Sequence, residues 1–276
     1  MRVTIRLAFA AVVLLLSSAS MDAQWVNYPT PGTPRLPDGK PNLNAAAPKT
    51  ADGKPDLSGI WTTDDPPKTS GYFMDLALDL QASEIVMTPW AKSLQEQRER
   101  RVHVDDPYGY CLPPGVPRIL VARAPFKIIQ TSAETVMLFE TIAAQTFREV
   151  FTDGRPALSN PEPTWLGYAL GKWEGDTFVV ETSGFRDGGW LDTAKGRPHS
   201  DALHVTERFT RPAFGRMEAM VTINDPKAYV KPWTARVKFK LIPDTSLLEI
   251  FCTTHRETME HRSSESQTVV EPPSPR

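Results

Sequence analysis

Trp165-Leu166-Gly167-Tyr168-Ala169-Leu170-Gly171-Lys172-Trp173-Glu174-Gly175-Asp176-Thr177-Phe178-Val179-Val180-Glu181-Thr182-Ser183 decides the fold. Two runs rich in aromatic and β-branched residues, Trp165 to Trp173 and Thr177 to Ser183, flank Glu174-Gly175-Asp176, a tight hairpin signal. The same period-two pattern extends upstream through Phe126 to Thr131, Thr135 to Thr141 and Gln145 to Thr152, where Asp153-Gly154 closes a strand in a turn. Downstream it continues through Leu203 to Arg211, Met217 to Asn224, Trp233 to Ile242 and Ser246 to Thr253. About nine strands with no helices between them leave little room for parallel crossovers, so the sheet is expected to be antiparallel. The fold class is mainly β: a lipocalin-like antiparallel barrel, which removes exposed edges, or else a two-sheet sandwich.

One helix is expected. Thr88 caps it, Pro89 suits its first position, and Trp90 to Arg101 contains no Gly or Pro. Its charged second half, Gln95 to Arg101, reads as a solvated face. Proline is abundant, 26 of 276 residues, about 9% against a usual ~5%. Nine of these lie in residues 24–67 around a near-repeat, Asp38-Gly39-Lys40-Pro41-Asn42-Leu43 and Asp52-Gly53-Lys54-Pro55-Asp56-Leu57, whose turn chemistry predicts an extended surface arm. A third reading of the function follows from this segment, an interaction scaffold that docks through the Pro-rich arm.

Residues 1–23 read as a secretory signal, with Arg2 and Arg6 before an apolar run from Leu7 to Leu16 that is too short to span a bilayer. The organisation expected is signal 1–23, arm 24–56, β-domain 57–255 and flexible tail 256–276, in the periplasm or secreted, with no membrane span after cleavage. In an oxidising compartment Cys111 and Cys252 are expected to pair. The 31 Lys and Arg against 33 Asp and Glu supply no excess positive charge for nucleic acid. No spacing points to a metal, and no nucleotide motif points to a cofactor. Oligomeric state is not legible.

The blocks Asp52-Gly53-Lys54-Pro55-Asp56-Leu57-Ser58-Gly59-Ile60-Trp61, Cys111-Leu112-Pro113-Pro114-Gly115-Val116-Pro117-Arg118, Phe151-Thr152-Asp153-Gly154-Arg155-Pro156, Pro163-Thr164-Trp165-Leu166-Gly167-Tyr168, Lys172-Trp173-Glu174-Gly175-Asp176-Thr177 and Pro198-His199-Ser200, taken in order, resemble a family of uncharacterised secreted bacterial proteins. The resemblance spans roughly residues 50–255. It implies export and one mostly-β domain, and brings no activity.

Alternation places Trp165, Gly167, Ala169, Gly171 and Trp173 on one face, where small residues between two tryptophans leave space for a ligand or for facing side chains. It also puts Glu207 on an apolar face with Leu203, Val205 and Phe209. A carboxylate there needs a partner, Arg148 or Arg208, or becomes a useful acid. His199, on a loop at a strand end, is a candidate acid or base. The function expected is binding of a small apolar or aromatic ligand by Trp165, Tyr168, Trp173 and Trp190 with Arg148 and Arg208. The alternative is a cofactor-independent lyase, isomerase or hydrolase using His199 and Glu207. A bland reading of both residues, a loop hydrogen bond and a structural ion pair, stands beside it.

Overall fold

The structure is a computed structural model that describes residues 28–64, 75–140 and 146–249. Nine strands close into one barrel: β1 Gly59–Thr63, β2 Phe126–Gln130, β3 Glu134–Phe139, β4 Thr146–Phe151, β5 Tyr168–Glu174, β6 Thr177–Ser183, β7 His204–Ala213, β8 Arg216–Asn224 and β9 Trp233–Leu241. The strands are neighbours in chain order, and β1 seals the cylinder by pairing with both β2 and β9.

Eight of the junctions are antiparallel, and the ninth departs from expectation. β4 and β5 run parallel, joined only at Val150↔Ala169 and Phe151↔Leu170. The connection from Thr152 to Gly167 is long enough to bring the chain back for a parallel strand. A second difference concerns which segments supply the nine strands. The Gly59–Thr63 strand was not expected, while Ser246 to Glu249 form no strand and the rest of that expected strand lies outside the described residues.

The pleat sorts the side chains. In β9, Trp233, Ala235, Val237, Phe239 and Leu241 are buried while Arg236, Lys238 and Lys240 are exposed, which is the alternation expected for a wall with one wet face. Phe126, Phe139, Phe209 and Phe239 meet inside with ring centroids 5.4 to 6.5 Å apart. The space expected beside Gly171 is taken: a Cβ there would come within 2.7 Å of Phe178 and 2.9 Å of Val150. Trp173 packs on the same Phe178, 5.0 Å between centroids, so this face is core.

Two structures close the barrel ends. At one end lie helix α1 (Pro89–Arg100), four shorter helical turns and the 185–203 loop. Thr88 Oγ1 accepts the Ala91 N–H at 3.3 Å and starts α1 as predicted. The charged second half of α1 is not wholly solvated, however. Arg98 is buried over Trp190, 4.9 Å from its ring centroid, and donates to the Gly189 carbonyl at 3.0 Å; burial pulls its pKa down to about 10. Tyr229 and Trp233 cover this end, with the Tyr229 hydroxyl donating to the Pro198 carbonyl.

At the other end sits the proline-rich segment. Its near-repeat is a structural repeat as well: Leu36 N–H to Lys40 O and Gly39 N–H to Leu36 O recur as Thr50 N–H to Lys54 O and Gly53 N–H to Thr50 O. Arg35 pins the first turn to Asp244 at 2.6 Å. The segment between the turns is fixed through Leu43 and Ala45, whose carbonyls accept from Gly215 and Phe214. The expected signal 1–23 and tail 256–276 lie outside the described residues.

Candidate functional site

The parallel seam opens a cleft. Upstream of its two paired residues β5 peels away from β4, because Thr164 donates to Gly184 O and accepts from Arg186 N–H, both at 3.0 Å. Gly167 makes the bend with φ of 68°, where a Cβ would lie 2.6 Å from Thr182 and 2.8 Å from the Ser183 carbonyl. Only glycine fits that close approach in a left-handed conformation. A cleft of about 350 Å³ results, walled by Phe147 and Phe151 on β4 and by Trp165, Leu166 and Tyr168 opposite, with Pro113 among its lining. Phe147 is 59% exposed, and Arg186 lies over the Trp165 ring at 4.7 Å.

Arg148 and Ala169 also line the cleft, from the barrel side. Arg148 points inward from β4 and meets Glu207 from β7. One guanidinium nitrogen donates to Glu207 Oε1 at 2.9 Å, and the other donates to Oε2 and to Thr182 Oγ1. Both side chains are shut off from water. Such a pair holds two charges where either alone is strongly disfavoured. The partner that Glu207 requires is therefore Arg148. Arg208 faces out and pairs with Glu174 at 2.9 Å.

His199 belongs to the capped end, in a different network. Its Nδ1 is 3.0 Å from the Ser200 carbonyl. A carbonyl only accepts, so this nitrogen carries the proton. Nε2 presses against Gly189, where a Cβ would sit 1.9 Å away, and Phe185 meets the ring edge-on. Burial pushes the imidazole pKa below its ordinary value. Beside it Asp225 accepts from the Ser200 N–H at 2.6 Å and hydroxyl at 2.8 Å. Arg197 bridges Asp192 at 2.7 Å and Asp75 at 2.5 Å; burial works against its charge, and the two carboxylates hold its pKa up. Arg118 forks onto Asp106 and donates to Thr193.

Of the expected ligand-binding residues, Trp165, Tyr168 and Arg148 come together at the cleft. Trp173 packs on Phe178, Trp190 lies in the cap between Arg98 and Arg118, and Arg208 is on the outer surface. His199 and Glu207 sit in separate hydrogen-bond networks. The sequence reading missed Phe147, Phe151 and Pro113, although the alternation Phe147-Arg148-Glu149-Val150-Phe151 already puts both phenylalanines on the face opposite Arg148. The expected Cys111–Cys252 bridge lies outside the described residues, because Cys252 does. Among the described residues no group of His, Cys, Asp and Glu is arranged to hold a metal, and no helix is long and apolar enough to cross a membrane.

Fold and site together define a closed mixed β-barrel with an aromatic-walled cleft at its one parallel seam. Neither the models of protein families nor the curated proteins contain a match to this chain.

Proposed function

We propose that the protein is an exported binding protein that takes a small apolar or aromatic ligand in the seam cleft. One observation carries the reading: β4 and β5 are joined by two residue pairs alone, and the cleft beside them is lined by an exposed Phe147 and half-buried Phe151, Trp165 and Tyr168, while the described core side chains inside the barrel are buried. A protein interior gains from burying rings, so aromatic surface left at an open cleft is available to a flat ligand. Arg186 stacks on Trp165 and stiffens that wall. The Arg148–Glu207 pair holds β4 and β7 in place behind the cleft.

Binding of indole followed by tryptophan fluorescence tests this. Trp165→Ala and Tyr168→Ala are expected to weaken binding about tenfold or more, on the scale of a lost aromatic contact. Trp173→Phe, away from the cleft, should leave it unchanged. Equal loss in all three variants, or no binding of indole or larger flat aromatics to the parent protein, overturns the reading. Export is tested by the N-terminus of the protein recovered from a native host, expected after Ala19 or Ala23.

A further inference from the structure

On one side β4 is fully used: six residue pairs join it to β3, from Glu134↔Phe151 to Phe139↔Thr146. On the other side only Val150 and Phe151 are paired. Among the described residues no backbone hydrogen bond links Thr146–Glu149 to the opposite wall, whose Thr164 is committed to Gly184 and Arg186. A stretch of strand edge therefore opens into the cleft, inside a barrel whose other junctions are antiparallel ladders.

Along one side such an edge offers the N–H and C=O groups of every second residue, ~6.6 Å apart. The ligand that meets groups with that repeat is another extended main chain, which is how exposed sheet edges are completed by strand addition. A compact ring fills the walls and leaves the edge unmet. The rim is balanced in charge. Glu149 on the β4 wall and Arg186 on the Trp165 wall have no ion-pair partner among the described residues. That favours a neutral, apolar segment over a strongly charged one.

We propose that the seam cleft binds an extended peptide segment of a partner protein, which adds to the Thr146–Glu149 edge as a strand and lays an apolar or aromatic side chain against Trp165 and Phe147. The inference rests on the ligand-binding reading of the cleft and names the ligand class.

The test uses the full chain and three probes: acetyl-Val-Phe-Val-amide, the same peptide with N-methylated backbone amides, and indole. Binding is read by tryptophan fluorescence and by amide hydrogen exchange across Thr146–Glu149. The unmodified peptide is expected to slow exchange along this edge, and N-methylation to weaken it about tenfold through lost main-chain hydrogen bonds. Trp165→Ala should weaken both the peptide and indole. Equal affinity for the methylated peptide overturns strand addition. If indole or a larger flat aromatic binds and the unmodified peptide does not, the peptide inference falls and the small-ligand reading stands; if none of them binds, both fall. Edge amides already protected in the free full-length protein would mean that the chain's own residues beyond Glu249 fill the cleft, and would overturn a partner segment.

Discussion

Two buried charge systems in this molecule solve the same problem differently. In the barrel wall a single guanidinium, Arg148, and a single carboxylate, Glu207, neutralise one another amid hydrocarbon with one hydroxyl in support. In the cap Arg197 is shared between Asp192 and Asp75 and Asp225 gathers the Ser200 amide and hydroxyl, whereas Arg118 with Asp106 and the Thr193 hydroxyl repeats the wall arrangement. A lone pair has no substitute when a partner is lost. A network redistributes its hydrogen bonds, so its members are expected to be individually replaceable.

The largest expected effect comes from breaking the wall pair. Glu207→Ala leaves Arg148 charged in an apolar interior and is expected to cost about 3–5 kcal/mol in urea unfolding. The double variant Arg148→Met with Glu207→Leu should recover most of that loss, since a hydrophobic pair of similar volume removes both desolvation penalties. If the double variant is as unstable as the single one, hydrogen bonding to Thr182 matters more than charge neutralisation.

In the cap, acid is the sharper probe. His199 is neutral in the folded protein, with its pKa depressed by burial, whereas in the unfolded chain it titrates near 6.5. The unfolded state therefore binds the extra proton first, and stability falls as pH drops below about 6.5, continuing until the folded imidazole also protonates. His199→Phe should flatten this part of a stability–pH profile. An unchanged slope would assign it to other groups.

Smaller still, Asp75→Asn should cost about 1 kcal/mol, because Arg197 keeps Asp192; a cost near that of Glu207→Ala would erase the distinction between pair and network. Arg208→Ala, which breaks an exposed pair with Glu174, should leave the unfolding midpoint unchanged.

The pattern of strands β2 to β9 was readable because most have one dry and one wet face, and because β6, where Phe178, Val179 and Val180 are all buried, is marked by its β-branched residues and the Glu174-Gly175-Asp176 turn before it. β1 was not, because Gly59-Ile60-Trp61-Thr62-Thr63 is short and begins with a glycine that directly follows a turn-rich block. The direction of β5 was equally hidden, since alternation marks faces and carries no sign for which way a strand runs. At the site, alternation puts Glu207 on the inner face and leaves Arg148 and Arg208 as its two candidate partners; the structure chooses Arg148, since Arg208 points to the opposite face and pairs with Glu174. The cleft itself depends on where two strands stop pairing, which rests on Gly167 and the contacts of Thr164. No local pattern announces that.

Closure through β1 and β9 also has a consequence for how the molecule assembles. Gly59–Thr63 is held on one side by β2 and on the other by β9, the last strand among the described residues, ending at Leu241. Until that final strand is made, β1 and β8 are left with raw sides, and a growing chain emerging from the ribosome exposes two adhesive margins for almost the whole of its synthesis. Contacts between segments so distant in the chain form slowly. Any fragment that stops before Trp233 is therefore expected to be recovered as aggregate rather than as a smaller barrel.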